Sequence, residues 1–305
     1  MFHTTGTAGT LAAAMAVGKL LDLDATTLNH ALGSAGTQAA GLWEFLRSAA
    51  HSKQLHTAKA AMDGMLSAYG AKFGLSGAEH ILEGPQGMSA GMLGEQRKDR
   101  LLDGLGSRWG VLETSFKYHA SCRHTHPSAD ALLALVEQYD LKPCDIESIE
   151  TFVYRAAMDV LGPVTNPRSV HQAKFSMGFV LALIARNRSA GVHDFSQSAL
   201  EDVELKQLHD KVTMRLDENV EAAYPDQWSA RVVVSTSDGR RLEHNVSEPK
   251  GDPGNPLSQH ELEQKFTMLA GLHSKVCNSE IHRLMETYRY LEEISDIGKT
   301  FRIGV

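Results

Sequence analysis

The 305-residue chain has little cysteine, no long hydrophobic run and no excess of basic charge. Its three cysteines, Cys122, Cys144 and Cys277, are an odd number and lie far apart. That argues against a disulfide framework and for a reducing, cytoplasmic setting. No apolar stretch approaches the roughly 20 residues needed to cross a bilayer. The residues after Met1 turn polar at once, without the apolar segment of a secretory signal, so neither membrane insertion nor export is expected. Lys and Arg total 30 against 37 Asp and Glu, a formal net charge of −7. A general nucleic-acid binder would carry the opposite balance. An acidic protein that takes an anionic ligand must gather its cations locally. Internal repeats and low-complexity tails are also missing. At 42% hydrophobic and 22% charged residues the composition is that of an ordinary globular protein of one or two domains.

What is present changes character along the chain. Residues 4–21 are dense in Ala, Gly and Thr, with helical periodicity from Leu11 through Val17 to Leu20 and Leu21, and read as a buried helix. The Gly6/Gly9 pair is no phosphate loop, because no strand signal precedes it. Asp24 is an N-cap for a second helix, and Ser52 for a third running to about Lys72. Residues 75–105 are Gly-rich and read as short helices and loops. From Pro127 the texture becomes mixed: a helix over 127–140 with Leu132, Leu133 and Val136 on one stripe, then a strand over 146–155. An apolar helix over 171–187, an amphipathic helix over 198–210 and a strand over 212–216 follow. Strands at 229–235 and 241–246 flank Ser-Asp-Gly-Arg, a hairpin signal. Residues 249–257 form an irregular connection. Helices return at 258–270, with Glu261 at the capping-box position, and at about 274–293. The expected fold is mainly α with an inserted α+β domain: a multihelical domain from both chain ends (1–115 and 258–305) around an α+β lid (116–257).

Between Lys117 and Pro127 the chain reads Lys-Tyr-His-Ala-Ser-Cys-Arg-His-Thr-His-Pro, where seven of eleven side chains ionise and none is an acid. This run lies where the helical part gives way to the mixed part, and domain junctions favour ligand clefts. Lys117 can face a carboxylate as a point charge, or act as a base if burial lowers its pKa. Arg123 can clamp a carboxylate through two N–H groups. His124 or His126 can move a proton near neutral pH. Two other readings stand beside this one. Cys122, His124 and His126 alternate, and on an extended segment would point one way like zinc ligands. Alternatively His126-Pro127 starts a helix, and His119 and His126 bond backbone groups. In the third helix Lys53 and His56 share a face, beside the small residues Ala58, Ala60, Ala61 and Gly64, which suits a pocket wall. A surface lysine beside a core histidine fits the same spacing.

Six stretches in order resemble the MmgE/PrpD family: Phe-His-Thr-Thr-Gly-Thr-Ala-Gly-Thr (2–10), Ser-Lys-Gln-Leu-His-Thr-Ala-Lys-Ala-Ala (52–61), Phe-Lys-Tyr-His-Ala-Ser-Cys-Arg-His-Thr-His-Pro (116–127), His-Gln-Ala-Lys-Phe-Ser (171–176), Tyr-Pro-Asp-Gln-Trp-Ser-Ala-Arg-Val (224–232) and Lys-Gly-Asp-Pro-Gly-Asn-Pro-Leu-Ser (250–258). The family includes 2-methylcitrate dehydratase, cis-aconitate decarboxylase and an iminodisuccinate epimerase. The resemblance implies a helical domain with an inserted lid, a cleft between them, and a homodimer. It also implies lyase or isomerase chemistry beside a carboxylate of a small di- or tricarboxylate such as 2-methylcitrate, with no metal or organic cofactor. By motif, His3, Lys53 and Lys117 match cleft residues, and Tyr154 is the nearest match to the family's cleft tyrosine. Lys53, Lys117 and Arg123 would hold carboxylates and stabilise enolate-like charge, with His56 beside them, while His3 or His124 moves the proton. Family members carry a further segment ahead of the Phe-His motif, so exposed apolar surface is expected where it would pack. A second reading follows from that difference: a catalytically inactive, truncated member that acts as a binding or assembly protein.

Overall fold

The computed structural model describes residues 2–45, 50–93, 100–272 and 276–300. Contacts divide the chain into two units, Met1–Trp109 and Gly110–Val305. The fold is mainly α, with one small mixed sheet in the second unit.

The first unit is built on α1 (Thr4–Leu20), α2 (Ala25–Gly36) and α3 (Ser52–Lys72), with a short helix at Met88–Met92. Asp24 caps α2 by accepting from the Thr27 N–H at 2.8 Å, a bond that stabilises a helix start by about 1 kcal/mol. The cap expected of Ser52 is not made. Ser52 is the first helical residue of α3, and His51 holds the cap position without a side-chain bond. Small residues bring α1 and α3 together: a Cβ at Gly64 would lie 2.7 Å from the Ala14 nitrogen. The buried cluster beside them is small, Ala31, Ala68 and Ala71 with Val17 and Leu21 against it. Small side chains bury little apolar area, so the larger ones stay outside. Leu55, Met62, Met65, Leu66 and Tyr69 on α3 are exposed, as is Phe73 just after it at 82%.

The second unit begins its core with α4 (His126–Gln138), followed by β1 (Ile146–Val153), α5 (Arg155–Leu161), α6 (Met177–Asn187), α7 (Val203–Asp210) and β2 (Val212–Leu216). A hairpin of β3 (Ala230–Thr236) and β4 (Arg241–Val246) completes the sheet, in the order β2-β1-β3-β4. β1 runs parallel to β2 and antiparallel to β3. A parallel neighbour needs a crossover, which α5, α6 and α7 supply. α4 and α6 pack on the sheet side by side. α6 is apolar almost all round, with Phe179 through Ala185 buried. In α4, Leu132 and Val136 are fully buried while Leu133 sits at the margin. The hairpin turns at Gly239, whose φ of +86° suits glycine.

Two helices expected to be continuous are broken. The 171–187 segment splits into Val170–Ala173 and α6, because Ser176 turns extended and accepts from the Phe179 N–H. The 198–210 segment splits into Gln197–Glu201 and α7, because Asp202 caps the Leu205 N–H at 3.0 Å. After the irregular 249–257 connection, α8 (Gln259–Ala270) opens with the expected Ser258/Glu261 capping box. α9 (Asn278–Arg289) is shorter than the expected 274–293 helix, and residues 274 and 275 lie outside the described part.

Candidate active site

In the first unit His3 ends a short bridged segment. Phe2 pairs with Leu42, and the His3 N–H donates to the Gly41 carbonyl at 3.0 Å. The imidazole is buried, with Trp43 at 4.9 Å, Phe45 at 6.0 Å and His56 at 5.2 Å between ring centroids. Its Nδ1 lies 3.0 Å from Nδ1 of His56, so one ring donates and the other accepts, and one proton sits between them. Burial, then the Lys53 ammonium and His56, hold the His3 pKa below its ordinary value. A neutral imidazole is the form that can take a proton. Lys53 lies over the Trp43 ring at 5.9 Å. The sequence-predicted His3, Lys53 and His56 are thus brought together; Lys53 and His56 come from one face of α3, and His3 arrives from the chain before α1. Trp43 and Phe45, which wall the cluster, were missed by sequence reasoning. Neither carries a local signal that ties it to His3.

In the second unit the cationic run is pinned at several points. The Phe116 N–H donates to Gly251 O, Ala120 N–H to Ala190 O and Cys122 N–H to Lys174 O, all at 2.7–2.8 Å. Lys117 is exposed, and its ammonium donates to the Ser121 carbonyl at 3.2 Å. Arg123–Thr125 form a 3₁₀ turn and His126 opens α4, so Cys122, His124 and His126 are not on an extended segment. The alternation behind a zinc reading is therefore lost. His119 Nε2–H donates to the Asp130 carboxylate at 2.8 Å rather than to backbone. His126 is fully buried, and neither ring nitrogen makes a hydrogen bond among the described residues. Among the described residues His119 makes no bond to backbone, while His126 has the Ser121 backbone near enough to favour its charged form, short of hydrogen-bond geometry.

Arg123 and His124 sit against aromatic residues from two later segments. The Arg123 guanidinium is ion-paired with Asp252 and lies over the Trp228 ring at 5.4 Å. It thus meets an internal carboxylate, through one terminal nitrogen of its five-donor fork. His124 stacks on Trp228 with centroids 4.8 Å apart, and its Nδ1 is 2.8 Å from the Tyr154 hydroxyl. Tyr154 follows β1, has no exposed surface, and stacks on Tyr224 at 4.2 Å. The sequence-predicted Arg123, His124 and Tyr154 are brought together, with Lys117 at the start of the same run. Tyr224, Trp228 and Asp252 were not singled out, although each stands in a stretch that carried the family resemblance.

The MmgE/PrpD N-terminal domain matches residues 1–101, and the MmgE/PrpD C-terminal domain matches residues 119–287. The chain belongs to the MmgE/PrpD family. It is 25% identical over 313 residues to a cis-aconitate decarboxylase of Aspergillus terreus, covering 97% of this chain and 63% of that protein. It is 26% identical over 303 residues to a cis-aconitate decarboxylase of Homo sapiens, covering 97% of this chain and 61% of the relative. The chain therefore spans about three-fifths of the length of these relatives. The N-terminal match carries His3, Lys53 and His56, and the C-terminal match carries Arg123, His124 and Tyr154, with Lys117 just ahead of it.

Chemically, the two clusters share one composition. Each has a primary ammonium (Lys53 or Lys117) and an imidazole in hydrogen-bond contact with a neighbour, and an indole lies close to Lys53 in the first and to Arg123 in the second. Ammonium and guanidinium groups attract carboxylates, and indole walls lower the local dielectric and so strengthen that attraction. An imidazole held neutral can receive a proton from carbon.

Proposed function

We propose that this protein carries out acid–base chemistry, without a cofactor, at a carbon next to a carboxylate of a small di- or tricarboxylate. The reaction class is a lyase, and among lyases a decarboxylase or dehydratase. The observation that carries this reading is the His3–His56 pair beside Lys53, in which burial and a nearby cation keep an imidazole neutral next to a positive charge. The decarboxylases named among its relatives support cis-aconitate as the first substrate to test, with 2-methylcitrate next. Lys53 and Lys117 hold carboxylates, Arg123 contributes donors not facing Asp252, and His3 or His124 handles the proton. Tyr154 and His56 complete the surroundings of these groups.

The helical domain is read as residues 1–115 with 258–305, and residues 116–257 as the lid. Exposed Leu269, Leu272, Tyr288 and Tyr290 in the C-terminal part support that grouping, because they need cover. We read the assembly as a cytoplasmic homodimer, which sedimentation would test. The function is tested by replacing Lys53 and Lys117 one at a time with Ala and following turnover of cis-aconitate. Loss of one charge-stabilising donor is expected to lower kcat roughly 100-fold or more. Unchanged turnover in either variant removes that lysine from the mechanism.

A second reading has its own observation. The exposed apolar side chains of α3 are what an assembly surface would offer, so the chain would bind without turning over substrate. Sustained absence of turnover together with stable association into larger species would favour it.

A further inference from the structure

The proposed function leaves open which imidazole takes the proton and which only stabilises charge. The surroundings of His124 answer this for one of them. Tyr154 has no exposed surface, so its hydroxyl proton has no water to meet and needs an acceptor. Among the described residues the one partner of that oxygen is Nδ1 of His124, at 2.8 Å. Burial also pushes the Tyr154 pKa far above its ordinary value, so the phenol keeps its proton at neutral pH. The hydrogen is assigned by this satisfaction argument: the hydroxyl donates, and Nδ1 accepts. The remaining proton of a neutral His124 then sits on Nε2.

The rings around the pair hold this geometry. Tyr154 lies parallel to Tyr224, with centroids 4.2 Å apart and 11° between planes. Trp228 lies parallel to His124 at 4.8 Å and 19°, and meets Tyr154 edge-on at 5.8 Å. Trp228 and Tyr224 close the group at 5.6 Å. His124 and Tyr154 are therefore fixed in orientation as well as in distance, and His124 itself stays partly accessible.

We propose that Tyr154 is a positioning residue that fixes His124 as a neutral Nε2–H donor, so that His124 stabilises oxyanion charge on the substrate and does not remove the proton. The inference rests on the function proposed above. The proton count supports it. Adding a proton at Nδ1 would take from the buried Tyr154 hydroxyl its one acceptor, and would place an imidazolium beside the Arg123 guanidinium. Giving up the Nε2 proton outright would leave an imidazolate, which no neutral phenol compensates. A hydrogen bond from Nε2–H to a substrate oxygen strengthens as the adjacent C–H or C–C bond breaks and that oxygen becomes more negative. The base must come from another group, and His3 is the neutral imidazole available.

The test is a nitrogen-15 NMR spectrum of the histidine rings in the full chain near pH 7.5, with His124 assigned from the signal lost in His124→Gln. The expected result is a protonated Nε2 and an unprotonated, hydrogen-bonded Nδ1. A proton on Nδ1 in the unaltered protein would overturn the proposal, and this measurement needs no variant that might misfold. In Tyr154→Phe the Nδ1 signal is expected to move as its donor is lost. With cis-aconitate as probe, the same variant is expected to lower kcat roughly tenfold with KM nearly unchanged. An unchanged kcat in a folded Tyr154→Phe protein also overturns the positioning role. If the expected tautomer is found but the unaltered chain acts on no polycarboxylate, Tyr154 is upheld as the group that orients His124 and the proposed function fails on its own.

Discussion

His126 illustrates how a single side chain sets a pH limit. It occupies the first turn of α4, fully buried, with His119, Lys117 and Arg123 near enough to oppose a further positive charge. Burial, then these neighbours, hold its pKa well below the ordinary 6.5. Unfolded, the same imidazole titrates near that ordinary value. Below about pH 6.5 the unfolded chain therefore binds a proton that the folded chain refuses, and stability falls as pH drops toward the folded pKa. The expected slope is up to about 1.4 kcal/mol per pH unit from this group. Urea unfolding at pH 7.5, 6.0 and 5.0 measures it, and His126→Leu should flatten the dependence. A slope equal in both proteins would contradict the assignment. The Arg123–Asp252 pair makes a second prediction at this scale. Both side chains are largely shielded, at 18% and 9% exposure. Asp252→Ala removes the ion-pair partner of the guanidinium, leaving it the more distant Asp130, and is expected to cost about 3 kcal/mol of stability, read from the same unfolding curves. Nothing in the local sequence reveals either feature. The run announced many ionisable groups, but only folding decides which of them is buried and which meets a carboxylate from residue 252.

At the scale of elements, Gly251 decides how the cationic run is anchored. Its φ is +96°, a region costly for other residues, and an added Cβ would overlap the Phe116 carbonyl oxygen. Phe116 N–H in turn donates to the Gly251 carbonyl at 2.8 Å, and Gly251 N–H to Asn255 O at 2.8 Å. Gly251→Ala is expected to destabilise the protein by roughly 2 kcal/mol or more, and to loosen the segment that brings Asp252 to Arg123. Hydrogen exchange at Phe116 and Gly251 would rise; unchanged protection would contradict the account. Elements governed by local rules were legible in the sequence. The Asp24 cap, the Ser258/Glu261 capping box, the β3–β4 hairpin and α4 all depend on residues within a few positions of one another. The errors were also local in kind. Ser176 and Asp202 are capping residues that stood inside apolar periodicity, and the periodicity was followed where the cap prevailed. At Ser52 the boundary moved by one residue, which is enough to take its hydroxyl out of the capping position.

For the whole molecule, family membership and the mainly α architecture with a smaller α+β part were legible, because six ordered stretches span the chain. The aromatic walls were not. Trp43 and Phe45 reach His3, Trp228 reaches His124 and Tyr224 reaches Tyr154, across long stretches of sequence that local patterns do not bridge. The first unit also exposes Leu55, Met62, Met65, Leu66 and Phe73. Surface of this kind drives association. Replacing Met62, Met65 and Leu66 together with Ser is expected to reduce self-association measured by sedimentation, without loss of helical signal. The central claim, however, is chemical. It is tested most directly by incubating the purified chain with cis-aconitate, 2-methylcitrate, citrate and iminodisuccinate in deuterated water and following each by proton NMR. The account predicts deuterium entering the carbon next to a carboxylate in at least one of them, and its loss in His3→Ala. No exchange with any of the four would contradict the proposed chemistry.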